Sequence, residues 1–447
     1  MRDITFHIRT YGCQMNERDS EALGCLLEER GWTPAGSEES ADVLLFNTCS
    51  VRDQAERKAV GKIGFMKKVK KNKPDIVIGV LGCMAQNKGA DLLKQLPHVD
   101  LVVGTDRIHE LPALIERVLE ERGKIVRTDT GAEVLGALSQ HHHGRVTSFV
   151  SVMRGCDQFC AYCIVPYVRG REKSRPIDDI VAEVRHVVEN GTKEIFLLGQ
   201  NVTAYGLAEL RATGGLTGAE SPFGDLLRAV NDVHGVERVR FTSPHPKYMN
   251  EAFIDSVASL PKVCEAFHVP MQSGSDRMLK AMRRGYTAAD YMSRIQTLKE
   301  RLPHATFSTD VIVGFPGETE EDFNATRQAM ETVGFDMAYI FKYSPRVGTR
   351  AADWADDVPT EVKEQRNQTL LADLEKRTTR TNKAYLNTCV EVLVEGESKR
   401  NAATWTGRTR TNKVCIFPPS ADVKPGDVVT MRVDRVTANS LFGEITV

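Results

Sequence analysis

Residues 153–172 read MRGCDQFCAYCIVPYVRGRE and set Cys156, Cys160 and Cys163 in a C-x3-C-x2-C array. Three thiolates on one short loop can hold three irons of a cubane and leave the fourth iron without a protein ligand. A zinc site, the alternative, normally asks for a fourth Cys or His at regular spacing, which this loop lacks. An iron with an open position invites a chelating cofactor. S-adenosylmethionine (SAM) can bind it through its amino and carboxylate groups, and an electron from the cluster then breaks a carbon–sulfur bond to give a 5'-deoxyadenosyl radical.

Outward from the loop, Thr147–Val152 is β-like, and repeated strand-then-helix units follow. The strands are EIFLLG (194–199), RVRFTS (238–243), CEAFHVP (264–270), TFSTDVIVG (306–314) and AYIFKYS (338–344). Helical patterns fall at Ile177–Glu189 behind Pro176, Ser275–Arg284 and Glu320–Val333. This alternation predicts a parallel sheet closed into a partial (β/α)6 TIM-like barrel, with its site at the carboxyl ends of the strands. Those ends carry Gln200 and Asn201, Ser243, Gln272 and Ser273, and Gly314. Ordinary strand-to-helix turns use the same residue types. Grouped above one three-cysteine loop, they are candidate SAM contacts.

Three further cysteines each follow an apolar strand: ITFHIRTYGC ends at Cys13, VLLFNTC at Cys49 and IVIGVLGC at Cys83. Helical stretches such as Ser20–Arg30 and Arg52–Lys71 separate them. In a parallel α/β sheet the strand ends share one edge, so these thiols converge and form a second cluster site with one open iron. Small buried core cysteines are the alternative. Cys25, Cys264, Cys389 and Cys415 occur singly in helix-like or strand-like runs and read as core.

At 447 residues the chain suggests two to four domains. Its formal net charge of −1 excludes the global positive field of a non-specific nucleic-acid binder. The start MRDITFHIRT has no signal pattern, and no run approaches a membrane span, so the expected location is cytoplasmic, with a monomer as default. Ten cysteines in such a chain read as thiols for metal or redox chemistry rather than as disulfides.

From about residue 378 the pattern becomes short alternating strands, VEVLVEG (390–396), KVCIF (413–417) and DVVTMRVD (427–434), which predict a small OB-like β-barrel. Residues 379–447 hold ten Lys or Arg against seven Asp or Glu, a net of +3. Lys399, Arg400, Arg408, Arg410 and Lys413, with Trp405 among them, offer phosphate contacts beside a stacking surface. A second basic run is Lys67, Lys68, Lys70, Lys71 and Lys73, readable equally as a solvated face. The histidines of HHHGR (141–145) read as a solvated linker, with metal binding the lesser reading.

The whole chain resembles the methylthiotransferase family of radical SAM enzymes. The resemblance is carried by NTCSVRDQAERK (47–58), PYVRGREKSRP (166–176), TSPHPKYM (242–249), HVPMQSGSDRMLKAMRRGYT (268–287) and DVIVGFPGETEEDF (310–323). It implies a domain at 1–125 with an auxiliary [4Fe-4S] cluster on Cys13, Cys49 and Cys83, and a linker at 126–145. A radical SAM domain at 146–377 follows, with its [4Fe-4S] cluster on Cys156, Cys160 and Cys163, and then a TRAM domain at 378–447. Ser50-Val51-Arg52 after Cys49 matches the branch acting on dimethylallyladenosine in tRNA, whereas sister branches typically read NTC-T-V or NTC-G-F. The implied reaction is methylthiolation of C2 of N6-dimethylallyladenosine at position 37 of tRNA. One SAM gives its methyl group to a sulfur on the auxiliary cluster, and a second gives the radical. The implied partners are the anticodon stem-loop, an external electron donor and an iron–sulfur carrier protein. The alternatives are a threonylcarbamoyladenosine or ribosomal-protein aspartate acceptor and, more remotely, a non-catalytic iron–sulfur RNA-binding protein.

Overall fold

A computed structural model describes residues 3–50, 53–131, 136 and 138–446. Val51 and Arg52 of the NTCSVR run, and linker residues 132–135 and 137, lie outside the described residues.

The amino-terminal strands are β1 (Thr5–Thr10), β2 (Thr33–Pro34), β3 (Val43–Thr48), β4 (Val77–Gly82), β5 (Leu101–Val103) and β6 (Ile125–Arg127). They form a parallel sheet in the order β2-β1-β3-β4-β5-β6. VLLFNT of β3 is buried along its whole length because alternate residues serve two cores, Val43 and Leu45 on one face and Leu44 and Phe46 on the other. Helix α1 runs Gln14–Glu29, starting six residues before the sequence pattern places it. Its first turns bury Asn16, Arg18, Asp19 and Glu21, and a buried polar face carries no apolar period.

The central unit contains β7 (Thr147–Ser151), β10 (Glu194–Leu198), β11 (Arg238–Phe241), β12 (Ala266–His268), β13 (Thr306–Val313) and β14 (Met337–Lys342). Two parallel triplets, β7-β10-β11 and β12-β13-β14, are joined by a parallel bridge between Val239 and Val263, which completes the six-stranded partial barrel. The short antiparallel pair β8 (Met153–Arg154) and β9 (Lys173–Ser174) closes the neck of the cysteine loop. The expected helix over Ser275–Arg284 is shorter, Asp276–Ala281, because the chain turns through positive φ at Arg283 and Gly285 before Thr287 caps the next helix.

One helix, Thr360–Asn382, leads into a closed five-stranded barrel of β15 (Cys389–Ser398), β16 (Asn401–Arg408), β17 (Val414–Phe417), β18 (Val428–Val436) and β19 (Ser440–Thr446). Cys389 is exposed on this barrel, contrary to its reading as core, because β15 begins at the barrel rim. No helix among the described residues is long and apolar enough to cross a membrane.

The turn after β16 seats this barrel on the amino-terminal edge of the central one. Arg238 donates to Arg408 O at 2.7 Å, and Arg240 donates to Thr409 O and Arg410 O at 2.8 and 2.9 Å. Arg410 pairs with Glu265 at 2.6 Å, and Lys413 Nζ reaches Asp336 at 2.7 Å and Asn382 at 2.8 Å. Two residues read as RNA contacts, Arg410 and Lys413, are therefore interdomain clamps. They lie at the opposite end of the central strands from the cysteine loop.

Candidate metal centres at the domain junction

Cys49 and Cys83 stand directly after β3 and β4, and Cys13 stands three residues after β1. These three strands are neighbours, and the pairs Thr10–Asn47 and Thr48–Gly82 align their ends. The chain at Gly12 passes so close that a Cβ there would lie 2.9 Å from the Cys49 Cβ and 2.7 Å from Asn16 Oδ1. Beneath the thiols, Asn16 Nδ2 donates to Asn47 Oδ1 and Asn47 Nδ2 donates back to Asn16 O, both at 2.9 Å. The Cys13 thiol donates to Asn16 Oδ1 at 3.3 Å. The turn carrying Cys13 is thus fixed before any ligand arrives.

The second triad is braced from within its own loop. Cys156 N–H donates to Gly170 O at 3.2 Å and Cys163 N–H to Cys160 O at 3.0 Å. Arg171 grips both oxygens of Asp157 at 2.6 and 3.0 Å, while the Asp157 and Glu172 carboxylates each accept the other's backbone N–H at 3.1 Å. Burial leads the rise of the Glu172 carboxyl above its usual range. Arg284, wholly buried, donates to Cys160 Sγ at 3.3 Å, to the Tyr286 hydroxyl at 3.0 Å and to Pro270 O at 3.2 Å.

One segment joins the two triads. The helix Val165–Arg169 follows directly on the Cys163 loop, and Ile164 and Val168 pack on Cys83. Thr105 Oγ1 donates to Val168 O at 2.5 Å, and Arg169 Nη2 donates to Asp19 at 2.9 Å. Burial alone would lower the Arg169 pKa, but Cys83 once it is a thiolate, then Asp19, then Cys13 as a thiolate hold it above the usual value.

Both donor sets fit a cluster. Burial pushes the Cys156 and Cys83 thiols up and the Cys163 thiol up to about 12, so each stays protonated unless a metal takes the thiolate. The Arg169 guanidinium lies against the Cys83 sulfur, and its Nη1 has no other hydrogen-bond partner among the described residues.

The strand tips divide into filled and open positions. Gln200 Oε1 accepts the Gly155 N–H at 2.6 Å, which ties the β10 tip to the cysteine loop. Gln272 is buried at positive φ and completes the ladder beside β13, its N–H on Asp310 O at 2.8 Å. Ser273 is enclosed against Thr326 at 3.1 Å, and Gly314 N–H donates to Glu318 at 2.8 Å. Ser243 holds a φ of 61°, uncommon for a residue with a side chain. Asn201 lies against the Glu172 carboxyl, and among the described residues His245 Nε2 is buried without a hydrogen-bond partner. Burial, then Arg284 and Lys247, hold His245 well below its usual pKa, hence neutral. Sequence reasoning gave no role to Arg169, Asp19 or Arg284. Arg169 was visible within PYVRGREKSRP and Arg284 within HVPMQSGSDRMLKAMRRGYT, but a lone Asp or Arg carries no spacing signal.

Of the remaining RNA candidates, Arg408 pairs with Glu395 at 2.8 Å. Lys399 and Arg400 are exposed at the β15–β16 turn, and Trp405 is half-buried against the barrel core. In the second basic run Lys70 is held by Asp100 at 2.7 Å and Lys73 by Asp42 at 3.1 Å. Lys68 lies over the exposed Phe65 ring.

A six-stranded partial barrel with a three-cysteine loop at its site end defines a radical SAM enzyme. Family models match in three segments: an uncharacterized protein family, UPF0004, at residues 5–104, the Radical SAM superfamily at 150–330 and the TRAM domain at 383–446. The chain is similar to a tRNA-2-methylthio-N(6)-dimethylallyladenosine synthase of Opitutus terrae, 46% identical over 98% of this chain and 97% of that one. Proteins of the same name from Akkermansia muciniphila and a Sulfurihydrogenibium species are each 44% identical, over 98% of this chain and 98% of theirs, and 99% of both, respectively. The chain belongs to the methylthiotransferase family of radical SAM enzymes. In fold it is similar to the radical SAM methyltransferase TsrM from Kitasatospora setae, solved with cobalamin and a [4Fe-4S] cluster, at TM-score 0.55 and 15% identity over 78% of this chain and 77% of that one.

Proposed function

We propose that this chain adds a methylthio group to C2 of N6-dimethylallyladenosine at position 37 of tRNA. The observation that carries the reading is the meeting of two three-thiol sites across the helix Val165–Arg169. Cys156, Cys160 and Cys163 would hold one [4Fe-4S] cluster, and Cys13, Cys49 and Cys83 a second. With SAM, these groups supply radical chemistry for a C–H bond that is not acidic enough for a side-chain base.

The protein's own residues bind, orient and shield. Gln200, Asn201, Ser243, Gln272 and Gly314 line the place for SAM, with Ser273 shaping the turn beneath it. Asn201 offers a buried amide beside Glu172, and neutral His245 an unspent ring nitrogen. Arg284 keeps its charge against Cys160. Lys399 and Arg400 would contact phosphate and Trp405 would give a stacking face for the RNA. An external electron donor and an iron–sulfur carrier complete the cycle, in a cytoplasmic setting.

The test is anaerobic reconstitution with iron and sulfide, then reductant, SAM and tRNA bearing dimethylallyladenosine, with the RNA digested for mass spectrometry. A gain of one methylthio group, abolished by Cys13→Ala and by Cys156→Ala, supports the reading. If 5'-deoxyadenosine forms while the nucleoside stays unchanged, the acceptor is wrong and belongs among threonylcarbamoyladenosine or a ribosomal-protein aspartate. Intact clusters without SAM cleavage would sink the catalytic reading.

A further inference from the structure

A second group of ligand-type side chains lies on α1, away from both triads. Cys25 and Glu28 sit three residues apart on α1 and so share a face. His142 of the linker comes down on that face, its Nδ1 3.7 Å from Cys25 Sγ and 3.8 Å from Glu28 Oε2. All three ligand atoms lie within 4.8 Å of one another. The imidazole has room because residue 24 is glycine: a Cβ there would lie 3.4 Å from His142 Nε2.

His141 and His142 are pinned rather than solvated, which corrects the reading of HHHGR for those two residues, while His143, Gly144 and Arg145 are exposed. His141 is buried, with Nε2 2.6 Å from Glu183 and Nδ1 3.6 Å from Glu21. Arg18 donates to Gln140 O at 2.7 Å and to Leu138 O at 2.9 Å. His142 N–H itself donates to Glu21 at 3.4 Å. Both sides of the trio are therefore preorganised, and a metal need not order a loose chain.

The spacing has a meaning of its own. At 3.8 Å the His142–Glu28 pair is too long for a direct hydrogen bond. Tetrahedral zinc with bonds of about 2.0–2.3 Å sets its ligands roughly 3.3–3.6 Å apart, close to the 3.7 and 3.8 Å that His142 shows to Cys25 and Glu28. A cavity of about 530 Å³ opens beside it, lined by Glu17, Ser20, Glu21, Gly24, Glu28 and His142 among others. Arg145, also on the cavity, is engaged by Glu21 at 3.1 Å. The cavity leaves space for a water as fourth ligand.

We propose that Cys25, Glu28 and His142 form a binding site for a thiophilic divalent cation, zinc above all, which staples the linker to α1. Cys25 lies roughly 18 Å along the helix from Cys13, at 1.5 Å per residue, so the site is separate from the auxiliary triad. Its place suggests a structural role: α1 begins at Cys13, and the pinned linker continues through His141 to Glu183 of the barrel domain. A metal here would fix the first cluster domain against the second. The inference is independent of the acceptor nucleoside.

The test uses the full chain with both clusters reconstituted, dialysed against a low concentration of zinc and then metal-free buffer, with zinc, iron and sulfide counted. The expected result is about one zinc per chain with iron unchanged, and one sulfur neighbour at about 2.3 Å in the zinc X-ray absorption spectrum. His142→Ala and Cys25→Ser should lose it, while His143→Ala keeps it. His142 is half-exposed, so its variant should fold and keep its iron content. Equal zinc retention by His142→Ala, zinc gained only as iron is lost, or no retained zinc in the wild type would each overturn the proposal.

Discussion

Arg169 Nη2 donates to the Asp19 carboxylate at 2.9 Å, and this pair joins the helix behind Cys163 to the helix that begins at Cys13. The two residues are 5% and 4% exposed. A charge pair so deep is costly to assemble and more costly to break. Its position argues that it exists for geometry: it fixes how far apart two separately folded thiol sites stand.

Arg169→Ala should therefore leave Asp19 charged, buried and without its hydrogen-bonded partner, with only Arg154 still nearby, at a cost of about 3 kcal/mol. Iron bound at Cys13, Cys49 and Cys83 should fall before that at the central loop, because Arg169 is the cation beside Cys83. Thermal unfolding and iron counts on Arg169→Ala, compared with Arg169→Met, separate lost charge from lost volume. A variant with full iron and unchanged stability would refute the role.

Gly155 has a φ of 79°, and a Cβ there would lie 2.0 Å from the Arg171 carbonyl oxygen. Gly155→Ala should force the neck of the cysteine loop open and release the Gln200 contact. Only the adjacent cluster should suffer. Iron should drop from about eight to about four per chain, the remaining four held by the amino-terminal cysteines. SAM cleavage should vanish with it. Retention of cleavage would show that the neck is pliable.

The sequence showed most of the frame and both thiol sets, and the reasons are physical. Cys13, Cys49 and Cys83 could be read because parallel strands end along one edge, and Cys156, Cys160 and Cys163 because their spacing is local. What stayed hidden depends on contacts between distant segments. NAATWTGR of β16 and SLFGEIT of β19 were missed because glycines, Gly407 and Gly443, stand at inward positions against the backbone of the neighbouring strand, which breaks the apolar alternation. Arg410 and Lys413 looked like phosphate contacts since charge in sequence does not reveal its partner. Glu265 and Asp336 lie 145 and 77 residues away.

That distinction can be measured. Replacing Lys399 and Arg400 with Ala should weaken tRNA binding across sequences and lower the slope of log affinity against log salt by about two. Arg410→Ala should leave that slope nearly unchanged and instead loosen the carboxyl-terminal barrel from the central one. Limited proteolysis would read this as faster cleavage near the helix Thr360–Asn382. A salt slope lowered by Arg410→Ala alone would return that residue to the RNA face.

Asp322 offers a test by pH. Its carboxylate accepts the Thr319 N–H and hydroxyl, both at 2.9 Å, and the Ser275 hydroxyl at 2.5 Å, and it pairs with Arg277. Burial alone would raise its pKa, but Arg277, Ser275 and Thr319 outweigh burial and lower it from 3.8 to about 2. A depressed folded pKa gives stability that is complete above the unfolded value and is lost as pH falls through the folded one. The stabilisation is about 2 kcal/mol at neutral pH and fades between about pH 4 and 2. Asp322→Asn should lose about that much at pH 6, and the gap from wild type should close toward pH 2 in urea unfolding of the iron-free chains. Because Ser275 follows the Gln272-Ser273-Gly274 tip, the variant should also raise the KM for SAM more than it lowers kcat. An equal gap at pH 6 and pH 2 would mean that Asp322 acts through shape rather than charge.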